Sequence, residues 1–131
     1  MKNKTLFQFA YPLCFIFVFV STGCSRAPGK SKFSVAHDAM QQTLDYWKSG
    51  KSPADVQSES KLIVGDTRWE KGMKLLDFQV DDSPSDDGRN YHFKNRLSVM
   101  GENGEVSQEQ SMFIVATDPV VTVFRADYEA E

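Results

Sequence analysis

The stretch Ser34-Val35-Ala36-His37-Asp38-Ala39-Met40-Gln41-Gln42-Thr43-Leu44-Asp45-Tyr46-Trp47-Lys48-Ser49 decides the fold class. At about 100° per residue, Val35, Ala36, Ala39, Met40, Thr43, Leu44, Tyr46 and Trp47 fall within one half of a helical wheel. His37, Asp38, Gln41, Gln42, Asp45, Lys48 and Ser49 fill the other half. Ser34 is placed to cap the start of this helix, and Gly50 supplies a left-handed stop after Lys48. An apolar face this wide belongs to a helix laid across a sheet, not to the narrow seam of a coiled coil.

The sheet is expected downstream. Ser52-Pro53-Ala54-Asp55-Val56 has the cap-then-proline grammar of a second, short helix. Leu62-Ile63-Val64 reads as a short strand stopped by Gly65-Asp66, and Trp69-Glu70-Lys71-Gly72 as a turn that tucks the indole under the core. Alternation predicts strands over 73–81, 91–100, 106–117 and 120–127. Asn103-Gly104 supplies the positive φ values of a tight hairpin, and Asp118-Pro119 marks the last turn. In the second long strand Tyr91, Phe93, Leu97 and Val99 share a face with Asn95, while His92, Lys94, Arg96 and Ser98 share the other. The last two strands are apolar on both parities, so either a β-bulge switches the parity or something covers the outer face, the sharper expectation being a homodimer partner. No internal repeat is evident.

Upstream of the helix the chain changes character. Residues 1–23 hold Phe7, Phe9, Phe15, Phe17 and Phe19, half of the 10 phenylalanines, with Lys2 and Lys4 as the charged groups. A basic start followed by an apolar run matches the n-region and h-region of a secretory signal, and uninterrupted apolar residues over 13–20 are too few for a spanning helix, which needs roughly 20. Without this leader, 13 basic groups face 18 acidic ones, and the formal charge of −3 becomes −5. An acidic domain of about 108 residues without a basic stretch argues against nucleic acid as a partner. Cys14 falls in the leader, leaving no cysteine pair in the folded part.

Ser21-Thr22-Gly23-Cys24 resembles the lipobox of bacterial lipoproteins. The resemblance implies that a signal over 1–23 is removed, that Cys24 carries a diacylglyceryl group and an acylated amino terminus, and that the protein is exported and held to a cell-envelope membrane. The alternative is a plain secretory signal, with Cys24 left as a thiol. Residues 24–32, with Arg26, Lys30 and Lys32, read as a tether with solvated charge, and residues 33–131 as one α+β domain. Each buried methylene of an acyl chain contributes about 0.8 kcal/mol, and a second chain turns marginal binding into stable anchoring.

The order of elements, together with Trp47, Trp69 and Gly72, is similar to the nuclear-transport-factor-two-like, or cystatin-like, superfamily. That resemblance implies a long amphipathic helix on a curved antiparallel sheet of about four strands plus a short edge strand. It also implies a cone-shaped cavity, here lined by Met40, Leu44, Trp47, Phe93, Asn95, Leu97 and Ile114. Asn95 would orient a ligand at the cavity mouth together with Tyr91, or satisfy a backbone group, and the second role is favoured.

Catalytic chemistry is thinly represented. His37 and His92 lie on polar faces without a ligand set around them, and zinc needs three or four ligands. Counting back from Gly88 in the acidic segment 81–88 places Lys94 where a calcium loop has its bidentate Glu, so this segment reads as an acidic turn. Neither a phosphate loop nor a nucleophile elbow calls for a cofactor. The Asp and Tyr pairing of ketosteroid isomerase maps to no position, Asp77 points away from the core, and Asp127 sits near the chain end. The reading is a noncatalytic module that binds a protein or a small apolar ligand; the alternative is an isomerase- or dehydratase-type enzyme on the same scaffold.

Overall fold

The computed structural model describes residues 29–126, so the leader, Cys24 and Asp127 lie outside the described residues. Helix α1 (Lys32–Lys48) begins earlier than its apolar periodicity requires, and its N-cap is Ser31, not Ser34. The Ser31 hydroxyl accepts from Ser34 N–H at 3.1 Å, and the Val35 N–H closes the first turn on the Ser31 carbonyl. The extra turn carries Phe33, whose ring meets Tyr91 edge-on at 6.0 Å, so a tertiary contact extends the helix. Ala36, Ala39, Met40, Thr43, Leu44 and Trp47 form its buried stripe, and Gly50, at φ +87°, ends it. Helix α2 (Pro53–Glu59) has the expected start: Ser52 and Asp55 cap each other reciprocally, with Pro53 in the first turn. Val56 is its buried anchor.

Strand β1 (Ile63–Gly65) leads through Asp66 into the short helix α3 (Thr67–Glu70). The remaining strands are β2 (Lys74–Gln79), the two-residue β3 (Ser85–Asp86), β4 (Asn90–Met100), β5 (Val106–Ala116) and β6 (Thr122–Arg125). Sheet order is β1-β6-β5-β4-β2, with β3 also paired to β4. Pairing is antiparallel except at one edge, where β1 runs parallel to β6. The sheet is therefore mixed and not wholly antiparallel as expected. The chain reaches β1 before α3 and returns to it only after the meander is complete, and so long a crossover permits parallel pairing.

The β4–β5 hairpin runs in unbroken register from Asn90 opposite Ala116 to Met100 opposite Val106. Its turn is longer than the two-residue form expected of Asn-Gly. Gly101 N–H bonds the Glu105 carbonyl, and Gly104 alone supplies the left-handed residue, at φ +79°. Register is also unbroken between β5 and β6, which removes the parity-switching bulge. Phe113 and Val115 face the core, whereas Ile114 is half-buried on the outer face beside Phe124 and does not join the expected cavity set. A bulge does occur in β2, between Leu75 and Asp77. It buries Leu75 against Val99 and leaves Leu76 40% exposed.

Helix α1 covers the inward face of the sheet, and Met40, Leu44, Phe93, Leu97, Val99, Phe113, Val115 and Val123 belong to one contiguous core. Phe93 is fully buried at its centre. Phe93→Ala is expected to lower unfolding free energy by about 3–5 kcal/mol in urea titrations. Val106→Ala, at a position 56% exposed, should stay within about 0.5 kcal/mol of wild type.

Candidate functional site

Six residues at the end of α1, Tyr46-Trp47-Lys48-Ser49-Gly50-Lys51, and six at the end of α3, Arg68-Trp69-Glu70-Lys71-Gly72-Met73, adopt the same local geometry. In each, a tryptophan stands three residues before a left-handed glycine, Gly50 at φ +87° and Gly72 at φ +84°. Gly50 N–H returns to the Trp47 carbonyl at 3.0 Å and Gly72 N–H to the Trp69 carbonyl at 2.9 Å. Lys51 N–H reaches the Tyr46 carbonyl and Met73 N–H the Arg68 carbonyl, so both helices end with the long return bond of a Schellman turn. The two turns then interlock. Trp47 Nε1 donates to the Met73 carbonyl at 2.8 Å, and Trp69 Nε1 donates to the Lys51 carbonyl at 2.7 Å. Between them the indoles stack, 5.6 Å apart and 16° from parallel. The common spacing of tryptophan and glycine in 47–50 and 69–72 is the sequence signal for this local repeat.

A groove of about 510 Å³ lies over this pair. One wall is the turn from α1 into α2, through Pro53, and the other is the run from α3 into β2, through Leu76. Lys48, Lys51 and Lys74 line it as cations, and Glu70 as its carboxylate. Lys48 also meets Asp77 at 3.3 Å, and Lys51 is paired with Glu59 and lies 5.1 Å from the Tyr46 ring centre. The hydrogen bond that Lys51 donates to Glu59 is the main cause that raises its ammonium above the ordinary pKa.

Of the seven residues expected around a central cavity, Trp47 is the one that lines this groove. Met40, Leu44, Phe93 and Leu97 are packed in the core. Asn95 is fully buried, and its side-chain oxygen accepts the Asp81 N–H at 3.0 Å. Ile114 lies on the other face of β5. The inward ionisable groups of the sheet's other flank are engaged with one another. Asp66 is buried, caps α3 by accepting from Arg68 and Trp69 N–H, and lies 3.5 Å from Arg125 Nε. Arg125 also donates to Thr67, and Arg68 pairs with Glu109, which accepts from Ser111. Sequence reasoning placed Asp66 in a strand stop and missed this role, because its partner Arg125 comes from the far end of the chain.

The histidines sit beside single carboxylates: His37 is 3.8 Å from Asp82, and His92 Nε2 is 2.9 Å from Asp87. Asp77 is exposed, as expected, but the β2 bulge and not simple alternation puts it there, since Leu76 beside it is exposed as well. In the acidic segment Asp81, Asp86 and Asp87 accept backbone N–H groups from Ser83, Gly88, Arg89, Asn90 and Lys94. Among the described residues no group of three or more His, Cys, Asp or Glu side chains is arranged to hold a metal ion, and no helix is long and apolar enough to cross a membrane.

Replacing Asp66 with Ala removes a helix cap and leaves Arg125 without its buried carboxylate, and should destabilise the fold by about 2–4 kcal/mol in urea titrations. The His92 hydrogen bond, helped by Asn90 and Arg89 N–H, holds the Asp87 carboxyl well below the usual carboxylate range. A carboxyl depressed in the folded state adds stability above its unfolded pKa of about 3.9, and that stability is lost as pH falls below it. Asp87→Asn should therefore lose less stability than wild type when urea midpoints at pH 7 and pH 3 are compared. The chain matches no family model, no curated protein and no solved structure.

Proposed function

We propose that the chain is an exported bacterial cell-envelope domain, held to a membrane by acylated Cys24, that acts as a noncatalytic binding module on a cystatin-like scaffold. The observation that carries the noncatalytic reading is the filling of the inward sheet face. Met40, Leu44, Phe93 and Leu97 close over the region where an enzyme of this scaffold would keep its cavity. An isomerase or dehydratase needs a carboxylate held ready in an apolar pocket. The buried carboxylate here, Asp66, caps a helix and faces Arg125.

The envelope location rests on the lipobox-like Ser21-Thr22-Gly23-Cys24 and the apolar leader before it. Helix α1 starts at Lys32, so residues 24–31, if extended, would reach roughly 25–30 Å from the acylated cysteine. The tryptophan groove is at the opposite end of α1, a further 25 Å or so along the 17-residue helix. A binding surface there would lie at the end of the helix farther from the tether.

Metabolic labelling with a palmitate analogue, followed by membrane fractionation, tests the anchor. Wild type should take up label and sediment with membranes, whereas Cys24→Ala should lose both properties. Equal labelling of the two forms would refute the anchored reading.

A further inference from the structure

We propose that the groove over the tryptophan pair binds a small amphipathic organic anion, an apolar body carrying one carboxylate or comparable group. Its volume of about 510 Å³ is in the range of small-molecule sites. The apolar part of such a ligand would lie against Pro53, Met73 and Leu76, above the indole edges. Leu76 is turned outward into this position by the bulge in β2, the edge strand of the sheet, and is 40% exposed.

The charge of the ligand follows from which donors remain. Both indole N–H groups are engaged by the carbonyls of Lys51 and Met73. The N–H groups of Ser49, Gly50, Lys51, Gly72 and Met73 close the two helix ends. Ser49 Oγ donates to the Tyr46 carbonyl, and Ser52 Oγ donates to Asp55. The charged donors that face the groove are ammonium groups: Lys74, which has no ion-pair partner among the described residues, and the remaining N–H bonds of Lys48 and Lys51. Against these stands the carboxylate of Glu70. The carboxylates that pair with Lys48 and Lys51, Asp77 and Glu59, are not among the lining residues, so the groove presents three ammonium groups, two of them shared with a carboxylate outside it and Lys74 unshared, against one acid. Ammonium ions on flexible stems specify negative charge without fixing planar geometry, which suits a carboxylate of varied shape.

Binding at this site extends the reading of the chain as a binding module and is independent of the anchor. A protein without Cys24-dependent label can still bind such an anion, and a labelled one can fail to bind it. The chain has 2 tryptophans, both at the groove, so a 15N-correlated spectrum of the full chain in detergent carries two indole cross-peaks that report on the site directly. Titration with phenylacetate should move both cross-peaks saturably, while phenethylammonium at the same concentration should leave them in place. Lys74→Glu should weaken the phenylacetate response by about fivefold or more, and Lys74→Arg should keep it. Leu76→Asp, at a position 40% exposed, should also weaken it. Unmoved cross-peaks with phenylacetate, an equal response to phenethylammonium, or a Lys74→Glu titration that superposes on wild type would each overturn the assignment.

Discussion

The reciprocal pair of indole hydrogen bonds is the constraint on which the arrangement of this domain turns. An indole N–H buried without an acceptor costs about 1–3 kcal/mol, and a carbonyl deprived of its donor costs a similar amount. Trp47 and Trp69 are 3% and 6% exposed, so both must find acceptors inside the protein. Each finds one on the residue after the other's glycine. This fixes the end of α1 against the start of β2 and adds a stack worth about 0.5–1.5 kcal/mol beyond the area it buries. The left-handed glycines are part of the same device, since a residue with a Cβ at Gly50 or Gly72 would be strained in the turn that aims each carbonyl.

A second lock holds the opposite flank. The parallel pairing of β1 with β6 brings Gly65 opposite Phe124, and the residues that follow these two, Asp66 and Arg125, meet at 3.5 Å. Asp66 serves both directions at once: one oxygen caps α3, the other faces Arg125. Because α3 carries Trp69, the ionic contact at the sheet edge and the indole stack are joined through a single four-residue helix. Loosening either end would let that helix shift, and with it one wall of the groove.

The main elements were legible because each rests on a local signal. The stripe of α1, the Ser52-Pro53 start of α2 and the alternation of β4 are set by neighbours within a few residues, and all three appear as read. The N-cap shifted from Ser34 to Ser31 because Phe33 gains a contact with Tyr91, and no local pattern contains that partner. The direction of β1 depends on a strand that lies almost 60 residues later, and the cost of that pairing is invisible in a three-residue segment. For the site, the sequence places Trp47 and Ile114 around a central cavity, whereas Trp47 lines the groove and Ile114 lies on the other face; Asn95 does satisfy a backbone group. Lys74 and Leu76 gave no signal, because the bulge that turns Leu76 outward is a property of the β2–β4 pairing and not of either strand alone.

The interlocked tryptophans also bear on the order in which the chain comes together. Their two hydrogen bonds close sequence separations of 18 and 26 residues, whereas the contact of Arg125 with Thr67 closes one of 58. Loop-closure entropy rises with the logarithm of that separation, so the indole contacts cost roughly 0.7–1 kcal/mol less to bring together. Joining α1 to α3 is therefore the less expensive closure, and the parallel edge of the sheet, which waits on a strand made last, is the slower one. The groove would already have its floor before the sheet is complete.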